Sequence, residues 1–178
     1  ELETVYEEKN MSLTSDGRKV YEAVLNALFP DHPYGTQTVL GTQENLKNPS
    51  IINIKNYHKT WYVPNNMAIC MSGDFDPDQT IAIINKYFNH LQPNPNLPEL
   101  PVTHESPVKV PVVKEVLGLD AENVTLGWRF PGAASPEQDL LNLTGEIVQN
   151  GKAGLMDIDL VQQQKVLSCY AGTYGMAD

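Results

Sequence analysis

The chain is poor in positive charge, in cysteine and in long apolar runs, and each shortage removes a class of function. Twelve lysines and arginines stand against 22 aspartates and glutamates in 178 residues, a formal charge of −10. That balance repels nucleic-acid phosphates and anionic lipid surfaces over a Debye length, so no nucleic-acid partner is expected. No apolar stretch approaches the roughly 18 residues that a bilayer span requires, and no basic-then-apolar leader opens the sequence. Localisation stays unknown. The two cysteines, Cys70 and Cys169, lie in apolar stretches and read as buried small hydrophobes, not as a disulfide or a metal pair.

Histidine spacing is equally restrictive. His32, His58, His90 and His104 are followed four positions later by Thr36, Tyr62, Asn94 and Val108, so no pair of imidazoles shares one helical face at that spacing. Asp74-x-Asp76-x-Asp78 imitates the opening of a calcium loop, but Gln79 and Asn85 stand where glycine and glutamate are needed. Gly172-Thr173-Tyr174-Gly175 lacks the strand-to-helix setting of a phosphate loop. No nucleophile has a base beside it in sequence.

What is present is enough apolar residue, 41%, to fill one large or two small cores. The spacing of Val20, Val24, Leu25 and Leu28 predicts one long helix from the acidic start to Leu28, stopped by Pro30. A second helix is expected over Ser50 to Trp61, with Ile51, Ile54, His58 and Trp61 on one stripe, before Pro64 forces an extended turn. Met67 to Met71 reads as a buried strand. Asp76 and Pro77 cap and open the next helix, whose core stripe is Ile81, Ile84, Phe88 and Leu91. Six of the 13 prolines, Pro93, Pro95, Pro98, Pro101, Pro107 and Pro111, then mark an extended linker. Beyond it, strands are expected at Val112 to Leu117, Val124 to Phe130 and Val166 to Thr173. Helices are expected from Ser135-Pro136-Glu137-Gln138 to Gly151 and around Leu155 to Gln164. Trp61, Tyr62 and Trp128 read as core anchors, His58 as a hydrogen-bonded core histidine, and His32 as a turn residue in a turn shaped by Tyr34 and Gly35.

The opening Glu1-Leu2-Glu3-Thr4-Val5-Tyr6-Glu7-Glu8 places Glu1 and Glu8 on one helical face. Seven residues rise about 10 Å, too far for both carboxylates to grip one ion, so one would be a ligand and the other a helper. In so acidic a chain the bland alternative is a solvated face. Glu7, the adjacent candidate, points about 100° away from Glu8.

Several segments in order resemble the insulinase, pitrilysin and mitochondrial processing peptidase family of inverted-motif zinc peptidases. They are Glu1-x6-Glu8, Phe29-Pro30-Asp31-His32-Pro33-Tyr34-Gly35, Leu40 to Leu46, Tyr62 to Met67, Ser72 to Asp76, Val124 to Pro131, and Glu146 to Gly151. In that family a His-x-x-Glu-His motif supplies two zinc-binding imidazoles and the general base, and a later glutamate completes the site. This sequence lacks the motif. By residue matching, the resemblance implies Glu8 as the third zinc ligand and Glu1 as a second, helping carboxylate. It implies an α+β fold, an antiparallel sheet with helices on one face. Residues 1–92 would be the C-terminal half of the zinc-peptidase domain, 93–111 the proline-rich linker, and 112–178 the N-terminal part of a second, related domain.

The function so implied is a fragment of a zinc-dependent metalloendopeptidase, inactive alone, with peptides as substrates. Zn2+ is expected in the parent protein and not in this fragment, and homo- or hetero-dimers are expected through exposed sheet edges. The alternatives are a non-catalytic scaffold or peptide-binding subunit of the same fold, or an interaction module without peptidase ancestry.

Overall fold

The computed structural model describes residues 1–100 and 102–177, so Pro101 of the proline-rich stretch and Asp178 lie outside it. The chain divides into two units, Glu1–Thr125 and Leu126–Asp178.

In the first unit the expected long helix is two, α1 (Leu2–Thr14) and α2 (Asp16–Leu28). The break has a local cause. Ser12 and Thr14 turn their hydroxyls back onto the carbonyls of Lys9 and Met11, and Ser15 adopts an extended backbone and accepts the Arg18 N–H at 3.3 Å, starting a new helix. Three short elements follow: α3 (Pro33–Thr36), capped by His32; α4 (Gln43–Lys47), capped by Thr42; and α5 (Ile51–Trp61), capped by Ser50. After a 3-10 turn at Pro64–Asn66 comes α6 (Pro77–Phe88), where Asp76 accepts the Gln79 N–H at 2.9 Å as its sequence foretold. α2 packs on α3, and α1 on α4 and α2. Gln43 donates to the Asn10 carboxamide at 2.6 Å, while Lys47 lies 5.9 Å from the Tyr6 ring centre.

Side chains also tie distant segments of this unit together. The Asp16 carboxylate accepts the backbone N–H groups of Leu119 and Asp120, and Glu105 accepts those of Asp31 and His32 at 2.8 and 2.7 Å. Asn65 and Asn94 exchange two bonds, at 2.8 and 2.9 Å. The Lys19 ammonium, with the Asp120 and Leu119 amides, lowers the Asp16 pKa from 3.8 to about 2. A depressed folded-state value means that this tie is fully formed above pH about 4 and is lost as pH falls through about 2. The amide proton shifts of Leu119 and Asp120 should therefore titrate near pH 2 in NMR spectra, and Asp16→Asn should remove that transition.

The second unit contains α7 (Gln138–Val148), then a single π-helical turn at Asp157–Val161 where a short α-helix was expected. α7 begins later than the capping-box pattern implied: Ser135 spends its hydroxyl on the Glu137 N–H at 3.2 Å, and Glu137 takes the cap position without a side-chain bond.

The α+β expectation is overturned, because the described residues form helices and turns and no strand. Met67 to Met71, Val112 to Leu117, Val124 to Phe130 and Val166 to Thr173 form no strand ladder. A helix satisfies its polar groups within its own segment, whereas a strand needs a neighbour brought from elsewhere. The apolar side chains that such a sheet would cover stay exposed: Leu117 is 92% and Trp128 69% accessible. Tyr62, expected as an anchor, is exposed, and Trp61 is half-buried. His58 is exposed and stacks on Tyr62 at 4.7 Å instead of entering a core. Cys70 is exposed and Cys169 half-buried. Ile81 and Phe88 are exposed while Ile84 and Leu91 are half-buried. Without strands the expected dimerisation through sheet edges loses its basis.

Candidate functional site

The two carboxylates singled out by sequence lie on α1 and at its N-terminal boundary. Glu1 occupies the position before the helix without capping it, and Glu8 lies at its midpoint; both are exposed. Glu7 accepts a bond from Asn10 at 3.4 Å. Zinc needs three protein donors held around an open position. Among the described residues no group of three or more histidines, cysteines, aspartates or glutamates is placed to hold an ion. The His32 ring nitrogen Nδ1 already accepts the Tyr34 N–H at 3.1 Å, and the ring sits against Tyr34 at 4.2 Å. It serves the turn, as expected. The described residues thus bring together no set of donors that would make a zinc centre by themselves.

The second unit holds a feature that sequence reasoning missed, a polar hollow of about 450 Å³. Asn142 and Glu146 on α7, with Gln149 at its C-cap, line it together with Tyr170 and Thr173 of the run after the π-turn. Asn142 Oδ1 accepts from the Thr173 hydroxyl and, at 3.1 Å, from Gln138. A Cβ on Gly145 would lie 3.5 Å from Gly172 Cα, in ordinary van der Waals contact with the run. The available signal was the polar recurrence Asn142, Glu146, Gln149 at intervals of four and three, opposite the apolar stripe that marks the helix. With one carboxylate, carboxamides and a phenol, the hollow offers hydrogen bonds and no nucleophile with a base.

The buried Asp157 carboxylate gathers the loop that follows α7. Its Oδ2 accepts the N–H groups of Asn150 and Gly151 at 2.9 Å each and of Gly154 at 3.1 Å, and Oδ1 takes the Gln149 amide at 3.4 Å. The Asn150 amide foremost, with those of Gly154, Gln149 and Gly151, holds the carboxyl below the usual range against the opposing effect of burial. Gly154 is needed for this closure, since a Cβ there would meet the Gln149 backbone at 2.6 Å.

The model of the peptidase M16 inactive domain matches residues 52–177, more than half of the chain. The chain belongs to the M16 peptidase family. This agrees with the resemblance read from the sequence. Over 155 residues the chain is 24% identical to the zinc protease PqqE of Helicobacter pylori, covering 84% of the chain and 34% of that protein. It is 30% identical over 88 residues to an uncharacterized zinc protease of Mycobacterium leprae, covering 49% of the chain and 20% of the relative. It is 28% identical over 75 residues to the probable mitochondrial-processing peptidase subunit beta of Schizosaccharomyces pombe, covering 42% and 16%. The chain therefore spans about a third or less of the curated relatives it matches. Glu1 and Glu8 lie upstream of the M16 inactive-domain match, and the hollow and the Asp157 loop lie within it. Among the described residues no helix is long and apolar enough to cross a membrane.

Proposed function

We propose that this chain is part of an M16 zinc endopeptidase and contributes mainly its non-catalytic, peptide-handling portion. The observation that carries the reading is the match of residues 52–177 to an inactive domain of a peptidase family. In this reading α1 adds one carboxylate, Glu8, to a metal centre whose remaining donors lie outside this sequence, with Glu1 beside it as helper. The chain's own part is to hold Glu8 on a helix, whose fixed backbone limits where the carboxylate can point. The polar hollow of the second unit, rich in carboxamide groups, is suited to hydrogen-bonding a peptide backbone.

The test compares this chain with the full-length protein, measuring zinc content and hydrolysis of a quenched fluorescent peptide. The expected outcome is metal and hydrolysis in the full-length protein and neither in the isolated chain. Stoichiometric zinc and turnover by the isolated chain would overturn the assignment.

The inactive-domain match also favours a second reading, a scaffold subunit of the same family that leaves chemistry to another chain. A His-x-x-Glu-His motif in the full-length sequence separates the two: its presence supports the peptidase, its loss the scaffold.

A further inference from the structure

We infer that Asn150-Gly151 is a latent site of spontaneous amide loss, chemically primed and held in check by the Asp157 carboxylate. It is the chain's one Asn-Gly pair, and both residues are exposed to water. Gly151 adopts φ +79, and nothing lies within 4 Å of where a Cβ would sit, so its nitrogen has no side chain to shield it.

The reaction needs no enzyme and no co-reactant besides water. The Gly151 nitrogen gives up its proton to water and attacks Asn150 Cγ. The new N–Cγ bond closes a succinimide ring as the Cγ–Nδ2 bond breaks, and the departing nitrogen takes a proton and leaves as ammonia. Water then opens the ring at either carbonyl, leaving aspartate or isoaspartate.

The structure polarises one reactant and withholds the other. Asn150 Oδ1, where negative charge builds as the nitrogen attacks, accepts the N–H groups of Lys152 and Ala153 at 3.1 and 3.0 Å. Donors so placed favour the charged intermediate. The attacking nitrogen, however, donates its N–H to Asp157 Oδ2 at 2.9 Å. A carboxylate against an atom that must become anionic disfavours that state, and the bond also fixes the nitrogen's direction. Asn150 Nδ2 is itself anchored on the Glu146 carbonyl at 3.1 Å. Once converted, residue 150 would lose that donor and place a second carboxylate beside Asp157, loosening the loop that borders the hollow.

The experiment incubates the whole chain at neutral pH and follows residue 150 by peptide mapping and isoaspartate detection. Asp157→Asn and Asp157→Ala should accelerate conversion roughly tenfold, the ratio corresponding to loss of one charge-assisted hydrogen bond. Asp159→Asn, which alters an exposed carboxylate on the same turn, should leave the rate unchanged. Should the Asp157 variants fail to fold, the unmodified chain still decides: in urea it should convert at least about tenfold faster than when folded at the same pH. Equal rates in urea and buffer, or slower conversion in the Asp157 variants because the carboxylate acts as a base, would overturn the proposal.

Discussion

Glu8→Gln in the full-length protein should abolish stoichiometric zinc and lower peptide hydrolysis by at least about 100-fold, whereas Glu1→Gln should keep the metal and cost about tenfold. The two effects differ because a carboxylate in direct contact with a cation supplies charge as well as position, and the carboxamide replacement keeps shape without charge. A helper seven residues away, about 10 Å along the helix, acts only through orientation. Both side chains are exposed, Glu8 on α1 and Glu1 just before it, so neither substitution removes packing from the first unit, and circular dichroism should be unchanged. Metal analysis by mass spectrometry is the direct readout. Unaltered zinc content and rate in Glu8→Gln would overturn the proposal that Glu8 is a zinc ligand.

Gly35→Ala should lower stability by about 3 kcal/mol, near the upper end for overpacking, and bring Tm down by roughly 5–10 °C. Gly35 lies in α3 where that turn folds back on the end of α2. A Cβ there would come within 2.6 Å of the Leu25 carbonyl oxygen and nearer still to that of Phe29. Both obstacles are backbone, so no side-chain rotation relieves them. The Asn26 carboxamide also donates to the Gly35 carbonyl at 3.3 Å, and Phe29 meets Tyr34 edge-on at 5.5 Å, so a displaced α3 would disturb the aromatic cluster with it. Differential scanning calorimetry of the variant measures the effect, and an unchanged Tm would show that the two elements can separate at no cost.

The turn around Gly35 was legible beforehand because its determinants are neighbours in sequence: Pro30, Pro33 and a glycine where the chain doubles back. Asp76 capping α6 and His32 acting as a turn residue were legible for the same reason, since each bonds a group two or three residues away. The break between α1 and α2 was missed because the apolar spacing runs through it; the signal was the cluster Ser12, Thr14 and Ser15, whose hydroxyls compete for backbone groups. Of the candidate site, Glu1 and Glu8 came from matching a motif. The hollow did not, because Asn142 and Thr173 stand 31 positions apart and nothing in either residue names the other.

By itself the sequence determined that the segments of α1, α2, α5, α6 and α7 become helical, where α6 starts, and, through the order of short motifs, membership of a peptidase family. Those properties depend on interactions spanning four residues or on recognisable strings. Only the tertiary structure decided that the β-rich segments stay unpaired, that Asp16 captures the amides of Leu119 and Asp120, and that Asp157 closes the loop after α7. Strand pairing and long-range carboxylate contacts require a partner delivered by the whole chain, and the loop closure needs the close backbone approach that Gly154 permits. Local propensity carries no information about either.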